Sequence, residues 1–450
     1  MKLYFGIDVG KSNHVAALLS RRLLTRYGHY HLCPTFKIEQ SRAGFLSLLG
    51  IIKEHGRPTE TCVLLERTGH YGQALEQFLQ DHGVKTYRIL AQTRYGKNKT
   101  DKHDARALAA MLYSQVELHA PVVNEKDRVW QIKAPSDAAS CLRGHVHRRY
   151  ELVNESTQRR NQLTAICDEL FPEFTEVYTD PNSESALQLR EKFPTPQACA
   201  SASIDDLCAT RKHTRPSRAD LASLQQLARA TIGTTDHARR SSLLLEQEQL
   251  IAELRLLCAH IGRLEDEIAV ILETSREGQI LNSFPGIGPI NGAVLLAGIG
   301  SIANFTSSAK LRGYLGWAPK ATQTGTSYDS ITLDKGGNVL LKRTMYLIAI
   351  SAIRSDPSWK LLYNRLVERK CDYDARTGKY RGKMKVIGRI AGQIIGVLYV
   401  LLRKDYDLLA ALAPDEKPPP PELYDVHKHS IRLKAGENRH GSPSRNRLQS

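Results

Sequence analysis

Apolar and polar positions change their period twice along this chain, and those changes divide it. Up to about residue 125, short apolar runs bounded by turn residues predict strands at 3–9, 15–19, 62–65 and 84–90. Helical periodicity between them predicts helices at 44–55, 71–82 and 102–113. That order describes a mixed sheet covered by helices, an α/β unit. From about 126 to 280 the strand signals vanish and the pattern predicts helices alone. Breaks fall near Phe171-Pro172 and in the loop Phe193-Pro194-Thr195-Pro196.

The last of these helices has the clearest repeat. Leu243, Leu250, Leu254, Leu257, Ile261, Leu264, Ile268 and Ile271 follow steps of four and three, with Gln247 the one polar slot. An a/d seam of this kind, over about 243–275, predicts a coiled coil with another long helix, within or between protomers. A third, mainly helical unit, about 281–410, opens on the turn FPGIGP and closes on helical patterns at 339–355 and 385–404. Its stretch 314–338 is hydroxyl-rich and reads as a loop. Beyond it, 411–450 starts with a run of prolines and predicts a disordered tail.

Charge narrows the partners. Lys and Arg number 63 against 47 Asp and Glu, a formal +16, which suits a polyanion such as DNA or RNA. Residues 143–149, Arg159-Arg160, 211–218 and 379–389 are candidate backbone-binding segments, or else ordinary solvated faces. No membrane partner is expected: Met1-Lys2 runs straight into a strand, and the apolar run 394–402 is too short to span a bilayer. The eight cysteines include no C-x-x-C pair, which predicts reduced thiols in a cytoplasm and no zinc site. Aromatic residues make up 7%, so base stacking is not the expected main mode of binding.

Four carboxylates carry the candidate chemistry. Asp8 in GIDVGKSN and Glu66 in LLERTGHY each end a predicted strand, while Asp101 and Asp104 in KNKTDKHDAR share one helix face. Two strand-end acids plus a helical acid pair suit an RNase H-like sheet holding two Mg²⁺ ions, because hard cations want oxygen ligands. An Asp followed by a Gly/Ser turn also opens the sugar-kinase and actin-like ATPases. The second phosphate loop of those proteins, Asp-Gly-Gly, is absent. Thr100 or Asp101 can cap the helix that follows. Lys97, Lys99, Lys102 and Arg106 surround the acid pair and could hold a phosphate backbone there. Gly286 and Gly288 of FPGIGP could turn backbone N–H groups toward a phosphate, as a helix-hairpin-helix-like turn does. Lys320, Lys335 and Arg343 are further candidate nucleic-acid contacts.

Six ordered segments, GIDVGKSN, LLERTGHY, NKTDKHDARALA, FPGIGPINGAVLLAGIG, FTSSAKLRGYLGWAPK and DKGGNVLLKR, together resemble the DEDD transposases of bacterial insertion sequences. That group includes the Piv and MooV invertases and the bridge-RNA-guided recombinases. The resemblance implies a RuvC-like RNase H fold over 1–125, a helical region over 126–280 ending in the coiled coil, and a C-terminal transposase domain over 281–410. It implies a D-E-D-D tetrad at Asp8, Glu66, Asp101 and Asp104 with Mg²⁺. It implies donor and target DNA, a structured noncoding guide RNA, and a dimer or tetramer joined through the coiled coil. It also implies a nucleophilic serine before a glycine, in a P-x-x-x-x-S-G pattern. Here the chain departs: counting from Pro319, the position is Thr324, followed by Gly325. Three readings stay open, namely Thr324 as nucleophile, Ser327 as its substitute, or an impaired copy that only binds nucleic acid. A RuvC-like structure-specific endonuclease and a DNA invertase are the alternative activities.

Overall fold

The structure, a computed structural model, describes residues 2–66, 69–89, 100–122, 128–212, 214–324, 328–333, 338–413 and 415–429. Two compact units emerge, Met1–Pro135 and Ser136–Ser450.

The first unit is built on β1 (Leu3–Asp8), β2 (Asn13–Leu19), α1 (Arg21–Tyr27), β3 (Thr35–Glu39), α2 (Arg42–His55), β4 (Thr61–Leu65), α3 (Gln73–Asp81), β5 (Lys85–Ile89), α4 (Asp101–Val116) and β6 (Val129–Gln131). The sheet runs β3-β2-β1-β4-β5-β6. Antiparallel pairing joins β1 to β2, β2 to β3 and β5 to β6, whereas β1–β4 and β4–β5 are parallel. All but the last residue of β1 are buried, as expected of a central strand covered on both faces. Leu3, Phe5, Ile7, Val63 and Leu65 pack with Leu48 and Ile52 of α2 and Leu75 and Leu79 of α3. On the other face Tyr4, Ala17, Leu19, Cys62 and Leu64 meet Ala105, Leu108, Ala109 and Leu112 of α4.

Four strands and three helices of this unit lie where the periodicity predicts them. The strands β3 and β6 and the helix α1 do not follow from it. TFKIE alternates polar and apolar residues, but its five residues carry only two apolar ones, and three residues at β6 are too few to show a period. The strand β6 also corrects the expectation that strands vanish from residue 126.

The second unit contains α5 (Asp137–Leu170), α6 (Phe174–Val177), α7 (Glu184–Lys192), α8 (Pro196–Ser201), α9 (Ile204–Ala209), α10 (Arg218–Arg229), α11 (His237–Thr274), α12 (Arg276–Asn282), α13 (Pro289–Ile299) and α14 (Ser308–Tyr314). There follow β7 (Pro319–Thr324), β8 (Tyr328–Leu333), α15 (Val339–Ser355), α16 (Pro357–Lys370), β9 (Asp372–Asp374), β10 (Lys379–Arg381), α17 (Lys383–Ala411) and α18 (Val426–His429). The helical breaks fall at Phe171 and Phe193, as expected.

The long helix α11 lies antiparallel to α5 of the same chain. Ion pairs at Arg149–Glu265 (2.5 Å), Arg159–Glu253 and Arg239–Glu169 (2.6 Å) mark the register, each step down one helix matching a step up the other. Leu243, Leu250, Ile251 and Leu254 pack on Leu163, Ile166 and Leu170. The polar slot has a reason: Gln247 Oε1 accepts from the buried Arg190 guanidinium at 2.9 and 2.8 Å. Arg190 also donates to the carbonyls of Leu163 (2.9 Å) and Pro181 (3.1 Å). At the other end of the pair, Leu142, Val146, Ile268 and Leu272 join a large core with α12–α17.

Two expectations change in this unit. The stretch read as a loop at 314–338 contains the hairpin β7–β8, with Thr324 paired to Tyr328 and Lys320 to Thr332. Its Thr, Tyr and Ile residues suit a pleated ladder, a preference that hydroxyl content alone conceals. The tail expected to be disordered from 411 is partly packed. Arg276 Nη1 donates to the Pro419 carbonyl (2.7 Å), Trp359 Nε1 donates to Tyr424 Oη (3.1 Å), and the Tyr424 ring lies 4.6 Å from that of Phe284. One ring contact and two hydrogen bonds outweigh the polar composition around them. The helix α17 is long and apolar enough to cross a membrane by length and composition. Its apolar face, from Val386 to Leu402, lies in the core.

Candidate functional site

Parity along two neighbouring strands decides where the first two acids point. Leu3, Phe5 and Ile7 of β1 face α2 and α3, so Tyr4, Gly6 and Asp8 face α4. On β4, Cys62 and Leu64 face α4, which puts Glu66, one residue past the strand, on the same side. The parallel ladder extends to that residue, since the Glu66 N–H donates to the Ile7 carbonyl at 3.2 Å. Asp8 and Glu66 therefore meet at the C-terminal edges of adjacent strands and share a side-chain hydrogen bond.

Gly6 admits the third element. A Cβ there would sit 2.2 Å from both the Ala105 carbonyl oxygen and the Ala109 nitrogen, so α4 lies directly on the β1 backbone. Only glycine permits that approach. The contact fixes the first turn of α4, where Asp101 and Asp104 stand. Thr100 is the cap, its side chain accepting from the His103 N–H at 3.3 Å. Acids in a first helical turn are further favoured by the N-terminal end of the helix dipole.

Electrostatics ties the set together. Asp8 is pushed up to about 7, first by burial, then by the hydrogen bond and charge of Glu66, then by the charges of Asp101 and Asp104. Asp104 Oδ2 is buried without a hydrogen-bond partner, and its Oδ1 lies 3.7 Å from His103 Nδ1. An all-oxygen donor set with one orphaned buried oxygen, and an Asp8 carboxyl whose charge is disfavoured by its acidic neighbours, suits a hard divalent cation. Among the described residues, however, no three Asp, Glu, His or Cys side chains are set closely enough to hold an ion as placed. The donor types fit; the ligand geometry is not preformed.

The remaining sequence-predicted residues fall as follows. Lys102 is exposed on α4, while Arg106 Nε donates to the Cys33 carbonyl at 2.8 Å. Lys97, Lys99, Ser327 and Lys335 lie outside the described residues. Gly286 has φ +89° and its α-carbon abuts α15, where a Cβ would meet the Ala352 nitrogen at 2.5 Å. That packing accounts for its being glycine. Gly288 is the N-cap of α13 and has open space around it. Arg343 is exposed on α15, and Thr324 closes β7. Of the basic segments, Arg149 and Arg159 are occupied by Glu265 and Glu253, and Arg218 pairs with Asp205 at 2.5 Å.

Sequence reasoning missed Gly6 and a group of stacked rings at His29, Tyr30, His31 and His103. A small residue two places before a strand-end acid is the signal that could have found the first. Nothing in the spacing of 29–31 and 103 announces the second.

Two stretches of the chain match known families. Residues 5–172 match the DEDD transposase family of IS110, described as "Transposase", and residues 278–364 match the "Transposase IS116/IS110/IS902 family". The mini-circle protein for IS117 of Streptomyces coelicolor is 25% identical over 92% of this chain and 97% of its own length. The insertion element IS110 43.6 kDa protein of the same organism is 28% identical over 70% of this chain and 73% of its own. The insertion element IS900 42 kDa protein of Mycobacterium paratuberculosis is 24% identical over 89% and 96%. The two family matches take in residues 5–172, from β1 to the end of α5, and the FPGIGP turn with the hairpin β7–β8, and the chain belongs to the DEDD transposases of the IS110 family of insertion sequences.

Proposed function

We propose that this transposase cuts and rejoins DNA through the carboxylates Asp8, Glu66, Asp101 and Asp104 and a hydroxyl supplied by Thr324. One observation carries the proposal: strand parity and the Gly6 contact gather four acids distant in sequence around one edge of a sheet. The sheet order, with β1 central and its C-terminal edge bearing the acids, supports a RuvC-like RNase H fold for 1–125. The divisions 126–280 and 281–410 then form the helical region and the C-terminal transposase domain.

Mg²⁺, as one or two ions held by the four carboxylates, would supply neutralisation of charge at the scissile phosphate. Without it, burial and the neighbouring Glu66, Asp101 and Asp104 favour the protonated form of Asp8, which limits repulsion within the cluster. Lys102, at the rim, is placed to attract a phosphate backbone. The Thr324 hydroxyl attacks phosphorus, the deoxyribose oxygen leaves, and the phosphodiester energy is retained in a protein–DNA ester, so no ATP is needed. Ser327 is the runner-up nucleophile. Donor and target DNA, a structured noncoding guide RNA and a dimer or tetramer complete the proposal. Exposed Leu245, Leu256 and Val270 on α11 offer apolar surface for the protomer contact. Action on DNA in a bacterial cytoplasm fits the +16 charge.

The threonine at this position favours a second reading, in which the chain hydrolyses DNA as an endonuclease. Its extra methyl crowds an in-line attack. The test mixes the protein with its flanking RNA and labelled donor and target DNA, then resolves products on a denaturing gel. The proposal expects a covalent adduct that Thr324→Ala abolishes and Thr324→Ser preserves or strengthens. Cleavage that survives Thr324→Ala with no adduct means hydrolysis instead, and indifference to Asp8→Asn means the acids do no chemistry.

A further inference from the structure

Beside the acid cluster, four rings from two separate elements form a pile. The short turn at residues 30–32 follows α1 and packs under the first turn of α4. Its His31 ring stacks on His29 (4.6 Å between centroids, 18° between planes) and on His103 (5.2 Å, 21°). Tyr30 lies 4.0 Å from His31 and 4.7 Å from His29. His31 is thus the central ring, and the outer rings His29 and His103 are exposed.

The fold does not need such a pile. The core of this face is complete with Tyr4, Leu64, Leu108 and Leu112, and His29 and His103 bury almost nothing. Tyr30 packs on the edge of that core and His29 accepts the His31 N–H on Nδ1 at 3.2 Å, which leaves the stack of His31 on His103 without a structural role. Two facts give the pile a direction. His103 stands between Asp101 and Asp104, with Nδ1 3.7 Å from Asp104 Oδ1. The helix α1, which contacts the same turn, carries Arg21, Arg22 and Arg26, all exposed and without a carboxylate partner among the described residues. Flat π faces between a cationic helix and a carboxylate cluster are what an unpaired nucleotide needs, a surface for its base and cations for its phosphates.

We infer that the His29–Tyr30–His31–His103 pile is a stacking subsite for an unpaired nucleobase of the DNA strand presented to the acid cluster. It rests on the cleavage reading for its orientation toward the acids, but base stacking itself needs no cleavage. The outer imidazole faces take the base, the α1 arginines take the flanking phosphates, and the strand is steadied beside the carboxylates. Any base fits, because each has a π face; the subsite adds hold without sequence preference.

The test measures binding by fluorescence anisotropy in EDTA, using full-length protein and a labelled short single strand of deoxyadenylate or the same strand with abasic sites. Wild type should hold the deoxyadenylate strand about tenfold more tightly than the abasic one, the scale of one base stacked on a ring. His31→Ala should remove that difference and leave abasic binding unchanged, while His31→Phe restores it. Because His31 is half-buried, His103→Ala on the exposed end, checked for an unchanged Tm, repeats the measurement without touching the turn. Equal affinity of wild type for the two strands overturns the inference, as does failure of His31→Phe to restore the preference in a folded protein. A base preference that persists while Asp8→Asn leaves cleavage unaltered would sink the cleavage reading and spare the subsite.

Discussion

Replacing Gly6 by alanine adds one methyl group and should destabilise the first unit and displace its acid cluster. The new Cβ would lie 2.2 Å from the Ala105 carbonyl oxygen, 2.2 Å from the Ala109 nitrogen and 2.7 Å from Leu108 Cβ. Two of these atoms belong to the helix backbone, so no rotamer change relieves the clash. Restoring an ordinary contact near 3.4 Å requires α4 to retreat by about 1.2 Å. Forced expansion of a packed core on that scale costs about 1–3 kcal/mol. Because Asp101 and Asp104 travel with α4, a displacement of about 1 Å should also reduce DNA cleavage by about a hundredfold. Thermal unfolding measures the first effect and a denaturing gel of DNA products the second. Gly50→Ala in α2, where a Cβ meets nothing within 4 Å, is the control and should leave stability equal or slightly raised. Wild-type Tm and cleavage in Gly6→Ala would refute the account of how α4 is seated.

The Asp8 carboxyl provides a pH prediction. An unfolded aspartate ionises near 4 and Asp8 in the folded chain at about 7. The folded state therefore binds the extra proton in between, and stability in EDTA should fall as pH rises from about 4 to about 7. Asp8→Asn should flatten that segment of a urea-melt series; superimposable profiles for the two proteins would be the contrary result. Arg190→Ala strips donors from Gln247, Leu163 and Pro181 inside the helical region. A loss of about 3 kcal/mol in urea unfolding is expected, and a loss below about 0.5 kcal/mol, the range of ordinary surface changes, would show the network to be dispensable. Tyr424→Ala removes the hydroxyl that Trp359 donates to and the ring on Phe284. Limited proteolysis should then cut between 415 and 429 faster than in wild type, and unchanged protection would mean that backbone contacts, such as the Arg276 bond to the Pro419 carbonyl, suffice to hold the segment.

Much of this protein could be read from its amino-acid order because the relevant signals are local. The short apolar runs at 3–9 and 62–65 fix strands, and a strand that ends on an acid delivers that acid to the sheet edge. Thr100 followed by the apolar pattern of α4 fixes the start of that helix and puts Asp101 and Asp104 in its first turn. The heptad of α11 announces a helix partner. None of these signals names a partner in space. The neighbour of α11 is α5, met through Leu163, Ile166 and Leu170 and set in register by ion pairs between residues about 70 to 116 positions apart, and Gln247 fits its seam only because Arg190 folds against it. Hydroxyl-rich 314–338 hides a hairpin, since cross-strand pairing supplies the stability that composition lacks. The association of Asp8 with Glu66 and the α4 acids depends on β1 and β4 lying side by side and on α4 reaching the backbone at Gly6. The same contact brings His103 onto His31. Chain order decides which groups are available and which way each local element turns them; packing between distant segments decides which of them meet, because burial energy is gained only when whole faces close together.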